Sequence, residues 1–209
     1  MSRTSGNSSN KIKSPLKYYV QYGAKEGQFE YWDGEKAVNF DELEMVLMDD
    51  RKCITGYNKK RGKRIISNRV QSVVKEPLCV RCGDDVIAEG MYEQIKDKVV
   101  VNGGKFTNEL FALAKIDGEF VPVSVCFAGS ANGCWIDFLN ESGGKFSLYK
   151  SVVKAVKGEF KTEGQSEFFT LTFSVDKLPT ELDTRANEFN DESLQPYLNQ
   201  GKVEEVTTA

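Results

Sequence analysis

Lys59-Lys60-Arg61-Gly62-Lys63-Arg64 places five cations in six positions. It lies inside a longer stretch, 51–75, with nine Lys or Arg residues and no Asp or Glu. The whole chain carries −3, so the residues outside this stretch sum to −12. One sign of charge gathered on a body of the other sign is the footprint of a surface that grips a polyanion. The chemistry open to these residues is phosphate neutralisation. Each cation set against a phosphate displaces counterions and gives a salt-dependent affinity that is blind to sequence. The candidates are Arg51, Lys52, Lys59, Lys60, Arg61, Lys63, Arg64 and Arg69. Aromatic rings add a second ingredient, because a base freed from a single strand gains roughly 1–3 kcal/mol on an aromatic face. Tyr57 sits inside the stretch, Tyr31, Trp32 and Phe106 fall on neighbouring predicted strands, and Lys105 in the turn before Phe106 could set a cation near the same face as that ring. The plainer alternatives are a solvated basic loop and aromatic residues that simply pack the core.

Other chemistries find less support. The chain has no histidine, which removes the commonest general base, the Ser-His and Cys-His nucleophile pairs and every histidine-containing zinc site. Cys79-Val80-Arg81-Cys82-Gly83 has the form of a zinc knuckle that Cys126 and Cys134 would have to complete. The seven residues between that second pair do not suit a knuckle, and in a strand Cys79 and Cys82 face opposite ways. No metal or cofactor is therefore expected. Gly103-Gly104-Lys105 and Gly143-Gly144-Lys145 lack the spacing of a phosphate-binding P-loop and read as turns between strands. Asp49-Asp50 and Asp84-Asp85 are adjacent carboxylates that diverge in an extended chain, so no catalytic pair is assigned and the chain is not read as an enzyme.

Elements able to position the basic segment are mostly strands. Tyr18–Tyr22, Gln28–Trp32 and Lys36–Phe40 are short aromatic-rich runs divided by turn residues. Leu43–Met48 continues as a strand into the basic segment, whose glycine predicts a mobile loop or hairpin tip. Leu78–Cys82 and Asp85–Glu89 flank Gly83, and Met91–Val99 has helical spacing. Phe106–Ile116 and Phe120–Phe127 flank Asp117-Gly118, the strongest hairpin signal present. Ala131–Leu139 suits a short helix, and Leu148–Phe160 with Glu167–Val175 a long hairpin. Pro179-Thr180 opens a helix running to Leu194, with Thr180 as its cap.

About eight strands with two or three helices predict a mainly β fold, an antiparallel barrel of the OB type that removes sheet edges. The expected organisation is a disordered leader at 1–15, a β-barrel domain at 16–178 with its basic loop at 51–75, a C-terminal helix at 179–200 and a flexible tail at 201–209. At 40% hydrophobic and 11% aromatic residues, the composition is enough for a core. No apolar run reaches the roughly 20 residues of a membrane span, and no secretory signal opens the chain. Five cysteines, an odd number, fit a reducing cytoplasm.

Tyr57-Asn58, Arg64-Ile65-Ile66-Ser67-Asn68-Arg69-Val70, Ile87-Ala88-Glu89-Gly90-Met91-Tyr92, Gly104-Lys105-Phe106-Thr107 and Trp135-Ile136-Asp137-Phe138 follow one another in this order. The arrangement resembles a family of bacteriophage single-stranded DNA-binding proteins of OB fold, over roughly residues 17 to 200. The resemblance implies a non-catalytic protein that coats single strands during DNA replication and recombination in the host cytoplasm, alongside replication or recombination proteins. It marks the basic loop and the strand aromatics as groove candidates without singling out contacts. Many such proteins end in an acidic tail with an aromatic tip. Here 181–209 holds seven acidic and two basic residues but ends Val206-Thr207-Thr208-Ala209, so tail-mediated recruitment is not implied. Two other classes compete: a phage-encoded module that offers its basic loop to an acidic host protein, and a small zinc-binding protein. Self-association as a homo-oligomer is left open by the sequence.

Overall fold

A computed structural model describes residues 12–142, 148–164 and 166–200. The start of the expected leader, the Gly143-Gly144-Lys145 turn and the tail at 201–209 lie outside the described residues. The long strand β4 (Glu42–Asn58) is the spine, 17 residues that alternate between two buried faces. One edge pairs from Met45 to Gly56 with β8 (Gly104–Ile116), which returns through Asp117-Gly118 into β9 (Glu119–Ala128). Both turn residues have positive φ, 53° and 85°, as a two-residue hairpin of this twist demands. The other edge of β4 is shared. Its start pairs with β10 (Ser151–Glu163), Lys52 bridges to Val70, and its end pairs with β5 (Lys63–Ser67).

The remaining strands extend the sheet in both directions. β1 (Tyr18–Gly23), β2 (Gln28–Trp32) and β3 (Ala37–Phe40) lie beyond β9, and β6 (Leu78–Cys82) and β7 (Asp85–Gly90) lie beyond β5. β11 (Ser166–Lys177) pairs only with β10 among the described residues. The eleven strands described form one mixed sheet, because β1 runs parallel to β9. The mainly β architecture is as expected, but the sheet is not antiparallel throughout and does not close into a barrel. Its path ends at β3 and β7. In place of a closing ladder, Phe169 N donates to Ala24 O at 2.7 Å and the Tyr22 hydroxyl donates to Thr170 O at 3.0 Å. The corner between β1 and β2 thus meets β11 without pairing along it.

Three helical units among the described residues cover the sheet. α1 (Tyr92–Val101) buries Ile95 and Val99 against Ile54, Ile65, Leu78 and Val80. α2 (Ser130–Ser142) sets Trp135 beside Phe127 and Phe173, over the core formed by Phe29, Met45 and Leu110. α3 (Thr180–Phe189) passes through a π-helical stretch, Asn190–Leu194, into α4 (Gln195–Asn199). Together they bring Ala186 and Leu194 onto Val46, Phe111 and Leu113 on the opposite sheet face. Pro179, not Thr180, occupies the cap position of α3, since its fixed φ of −64° leads the chain into the first turn.

Two local devices set which side chains face where. The register of β4 with β8 shifts from Leu47↔Ala112 to Asp49↔Phe111, a bulge at Met48. Before it, Met45 and Leu47 face the core under α2; after it, Arg51, Cys53, Thr55 and Tyr57 belong to the other face. The second device is a glycine contact. A Cβ on Gly56 would stand 2.3 Å from Gly103 O, and one on Gly104 would stand 2.6 Å from Val99 Cγ1 and 3.0 Å from Ile54 Cγ2. The turn from α1 into β8 is therefore pressed onto the end of β4.

Gly104→Ala is expected to destabilise the protein by about 1–3 kcal/mol through overpacking. Gly133→Ala, in α2 with nothing within 4 Å of the new methyl, is expected to raise stability by roughly 0.5–1 kcal/mol. Urea unfolding of the two variants checks both signs; equal midpoints would contradict the close approach.

Candidate nucleic-acid interface

The basic stretch is not one mobile loop. Residues 51–58 complete β4, Lys59–Gly62 make the turn, and β5 returns from Lys63. Gly62 adopts φ 64° and its N–H donates to Asn58 O at 2.8 Å, while Arg61 N donates to Asn58 Oδ1 at 3.0 Å. This divides the predicted cations into two groups.

Arg51, Lys52 and Arg69 are tied to carboxylates. Arg51 is 2% exposed and its Nη2 lies 2.7 Å from Asp49 Oδ2, which also accepts from Gln195 Nε2 at 2.8 Å. Lys52 pairs with Asp50, whose other oxygen accepts from the Tyr149 hydroxyl at 2.9 Å. Arg69 forks onto the buried Glu109, Nε to Oε2 at 2.6 Å and Nη2 to Oε1 at 2.9 Å. Ser124 Oγ donates to Glu109 Oε1 at 2.6 Å, and Arg69 Nη1 to the Tyr197 hydroxyl at 3.3 Å. Burial works against the Arg69 charge, yet the hydrogen bond and charge of Glu109 outweigh it and hold the guanidinium firmly protonated. Desolvation, helped by Glu109, pushes the Cys126 thiol up to about 12 and raises that of Cys53 as well. All three cations expected on a phosphate-binding loop thus have a carboxylate partner; Arg51 and the Glu109 carboxylate are buried, where a charge must be paired, while the Lys52–Asp50 pair stays partly exposed.

Lys59, Lys60, Lys63 and Arg64 have no carboxylate partner among the described residues. Arg61 reaches Asp85 at 3.4 Å, an exposed pair of little worth that leaves its charge available. Tyr57, 56% exposed, lies directly opposite Arg64 in the β4–β5 ladder. One step along, Lys105, Thr55, Ile66 and Arg81 form a row across β8, β4, β5 and β6, on the same face as Tyr57 and Arg64. Lys105, Ile66 and Arg81 are exposed in this row.

The other predicted residues separate from this face. Lys63 turns to the opposite side, its stem lying over Gly83. Trp32 is exposed but lies on β2, separated from β4 in the sheet order by β1, β9 and β8. Phe106 is half-buried against Tyr92, with ring centroids 5.0 Å apart, on the face opposite Lys105. Ile66 and Arg81 carry no mark of this face in the sequence. Arg81 sits between the two cysteines, where the spacing suggests a knuckle, and its place on this face emerges only once the β5–β6 register is known. Cys79 and Cys82 do face opposite ways, Cys82 into the core, and among the described residues no three Cys, Asp or Glu side chains gather as a metal site would require.

No family model, curated protein or solved structure matches this chain.

Arg69→Met is expected to lower stability by somewhat less than the ~3–5 kcal/mol of a fully buried pair, since the Arg69 side chain is 34% exposed. Adding Glu109→Gln should return part of that loss, and a denaturation series of the single and double variants measures it. Iodoacetamide at pH 8 is expected to leave Cys53 and Cys126 unmodified in the native protein and to label both in urea, because the raised thiol pKa leaves almost no thiolate. Peptide mass mapping reads the result, and native labelling of Cys126 would contradict its placement.

Proposed function

We propose that the protein binds single-stranded DNA without catalysis and with little sequence preference. The observation that carries this reading is the Tyr57–Arg64 pair, an exposed ring and a cation with no carboxylate partner among the described residues, side by side on an open sheet face. A single strand presents both phosphates and unstacked bases, and such a pair meets one of each. Lys59, Lys60 and Arg61 at the adjoining turn extend the positive field, and Lys105 and Arg81 continue it across the sheet. Ile66 between them offers apolar area to a base or sugar.

The sequence resemblance to bacteriophage single-stranded DNA-binding proteins supports the same reading, and with it a role in phage DNA replication or recombination in the host cytoplasm. The OB-type relationship belongs to this proposal. A curled sheet, with a basic hairpin at the end of its longest strand, would serve as the groove that a closed barrel provides elsewhere.

Fluorescence-anisotropy titrations of oligo-dT at several salt concentrations test the reading. Replacing Lys59, Lys60, Lys63 and Arg64 with Ala should weaken binding and flatten the log–log salt slope by ~0.7 for each phosphate no longer neutralised. Tyr57→Ala should weaken binding by roughly 5- to 150-fold with the slope unchanged, since stacking releases no counterions. Full affinity in the fourfold variant would overturn the proposal. Tight capture of an acidic protein with no oligonucleotide binding at 100 mM salt would do the same in favour of a protein-interaction module.

A further inference from the structure

A cleft of about 400 Å³ opens where β9 has ended and α2 begins, between the last turn of α1 and the first of α2. Its size falls toward the lower end of the ~300–1,000 Å³ usual for small-ligand sites. The floor is the first segment of β8, Gly104-Lys105-Phe106, which pairs with β4 on one side only. The β8–β9 ladder stops at Thr107↔Ala128, so the other edge of this segment faces the cleft without a strand partner among the described residues. Val100 and Phe106 supply apolar walls, and Asn132 reaches in from α2. The Asn132 side-chain oxygen accepts from Asn108 Nδ2, which leaves its NH₂ to offer. Gly103 and Gly129, both with positive φ, keep side chains out of the opening.

The position of this cleft matters as much as its lining. Arg81, Ile66, Thr55 and Lys105 form a row on the sheet face opposite α1, and Lys105, at the end of that row, also lines the cleft. Lys105 Nζ stands 4.0 Å from where a Cβ on Gly129 would be, over the rim. A flat aromatic group entering here would meet Phe106, a backbone edge with no strand partner among the described residues, and an amide. The cation at the rim suits a phosphate attached to that group.

We infer that this cleft receives one nucleobase of the bound strand, with Lys105 holding the adjoining phosphate. The inference rests on the single-stranded DNA reading and adds to it a base-insertion pocket separate from Tyr57. It makes Phe106 a base contact reached from the cleft, although its ring lies on the face opposite Lys105.

Oligo-dT carrying 5-iodouracil, irradiated with the full-length protein, provides the direct test. Mass spectrometry of the adducts is expected to find cross-links at Phe106 in addition to Tyr57. Val100→Trp, a change at an exposed helical position, should fill the cleft, abolish the Phe106 adduct and weaken oligo-dT binding by about 10-fold with the salt slope unchanged. Lys105→Ala should instead flatten the slope by ~0.7. Binding with adducts at Tyr57 alone and no effect of Val100→Trp would overturn the pocket and leave the DNA-binding reading standing. No binding of any oligonucleotide at low salt would overturn both.

Discussion

A charge enclosed in a sheet face must find its counter-charge nearby, because the attraction of a close partner is what offsets the loss of water. That constraint sorts the cations of this chain. Arg51, Lys52 and Arg69 come early or late in the basic stretch, where β4 and the following segment run under or beside the C-terminal helices. Each is held by a carboxylate from β4 or β8. Lys59 to Arg64 lie past the end of β8, where no packed layer among the described residues covers the chain, and their charges stay outward. The division follows from how far β8 and the helices reach along β4, not from the basic composition itself.

The Met48 bulge and the glycine contact at Gly56 turn this sorting into a face. Without the extra residue, Arg51, Cys53, Thr55 and Tyr57 would all rotate toward the apolar core under α1 and α2. An unbulged β4 would bury the tyrosine and set the Arg51 guanidinium against hydrocarbon. The contact of Gly56 with Gly103 then fixes where β4 leaves the sheet, and with it the height of Tyr57 above the row of Lys105, Ile66 and Arg81. Packing several residues away thus sets the geometry of an exposed pair.

Much of this architecture is legible in the order of residues. Strand alternation and the Asp117-Gly118 turn locate the β8–β9 hairpin, and the 3.6-residue spacing after Met91 locates α1, because both signals are local. What sequence does not supply is anything that depends on two distant segments meeting. Arg69 and Glu109 are 40 positions apart, and nothing in the order of residues marks them as partners. A run of cations free of acids therefore reads as one open surface, although part of its counter-charge comes from a strand much later in the chain. The same limit hides closure. Short strands with frequent turns suggest a barrel, but the parallel β1–β9 pairing and the bond from Phe169 to Ala24 reveal that the sheet curls without closing. Arg81 escapes notice for a third reason: the flanking cysteines draw it into a metal-binding pattern, when its register with Ile66 places it on the open face.

The turn itself is close to symmetrical in charge, and this bears on how a strand would be held. Lys63 and Arg64 point to opposite sides of the hairpin, so their field attracts a polyanion from either direction and does not orient it. At physiological salt that field fades over about 8 Å, enough to gather a strand at the tip but not to steer it across the sheet. Orientation would have to come from short-range contacts, which the two sides offer in different forms. On the Lys63 side, the core beneath β5 and β6 is covered by α1. On the Arg64 side, Tyr57 and Ile66 leave apolar surface in the open between cations. Attraction would therefore be shared between the faces, and orientation would fall to the exposed rings and aliphatic groups.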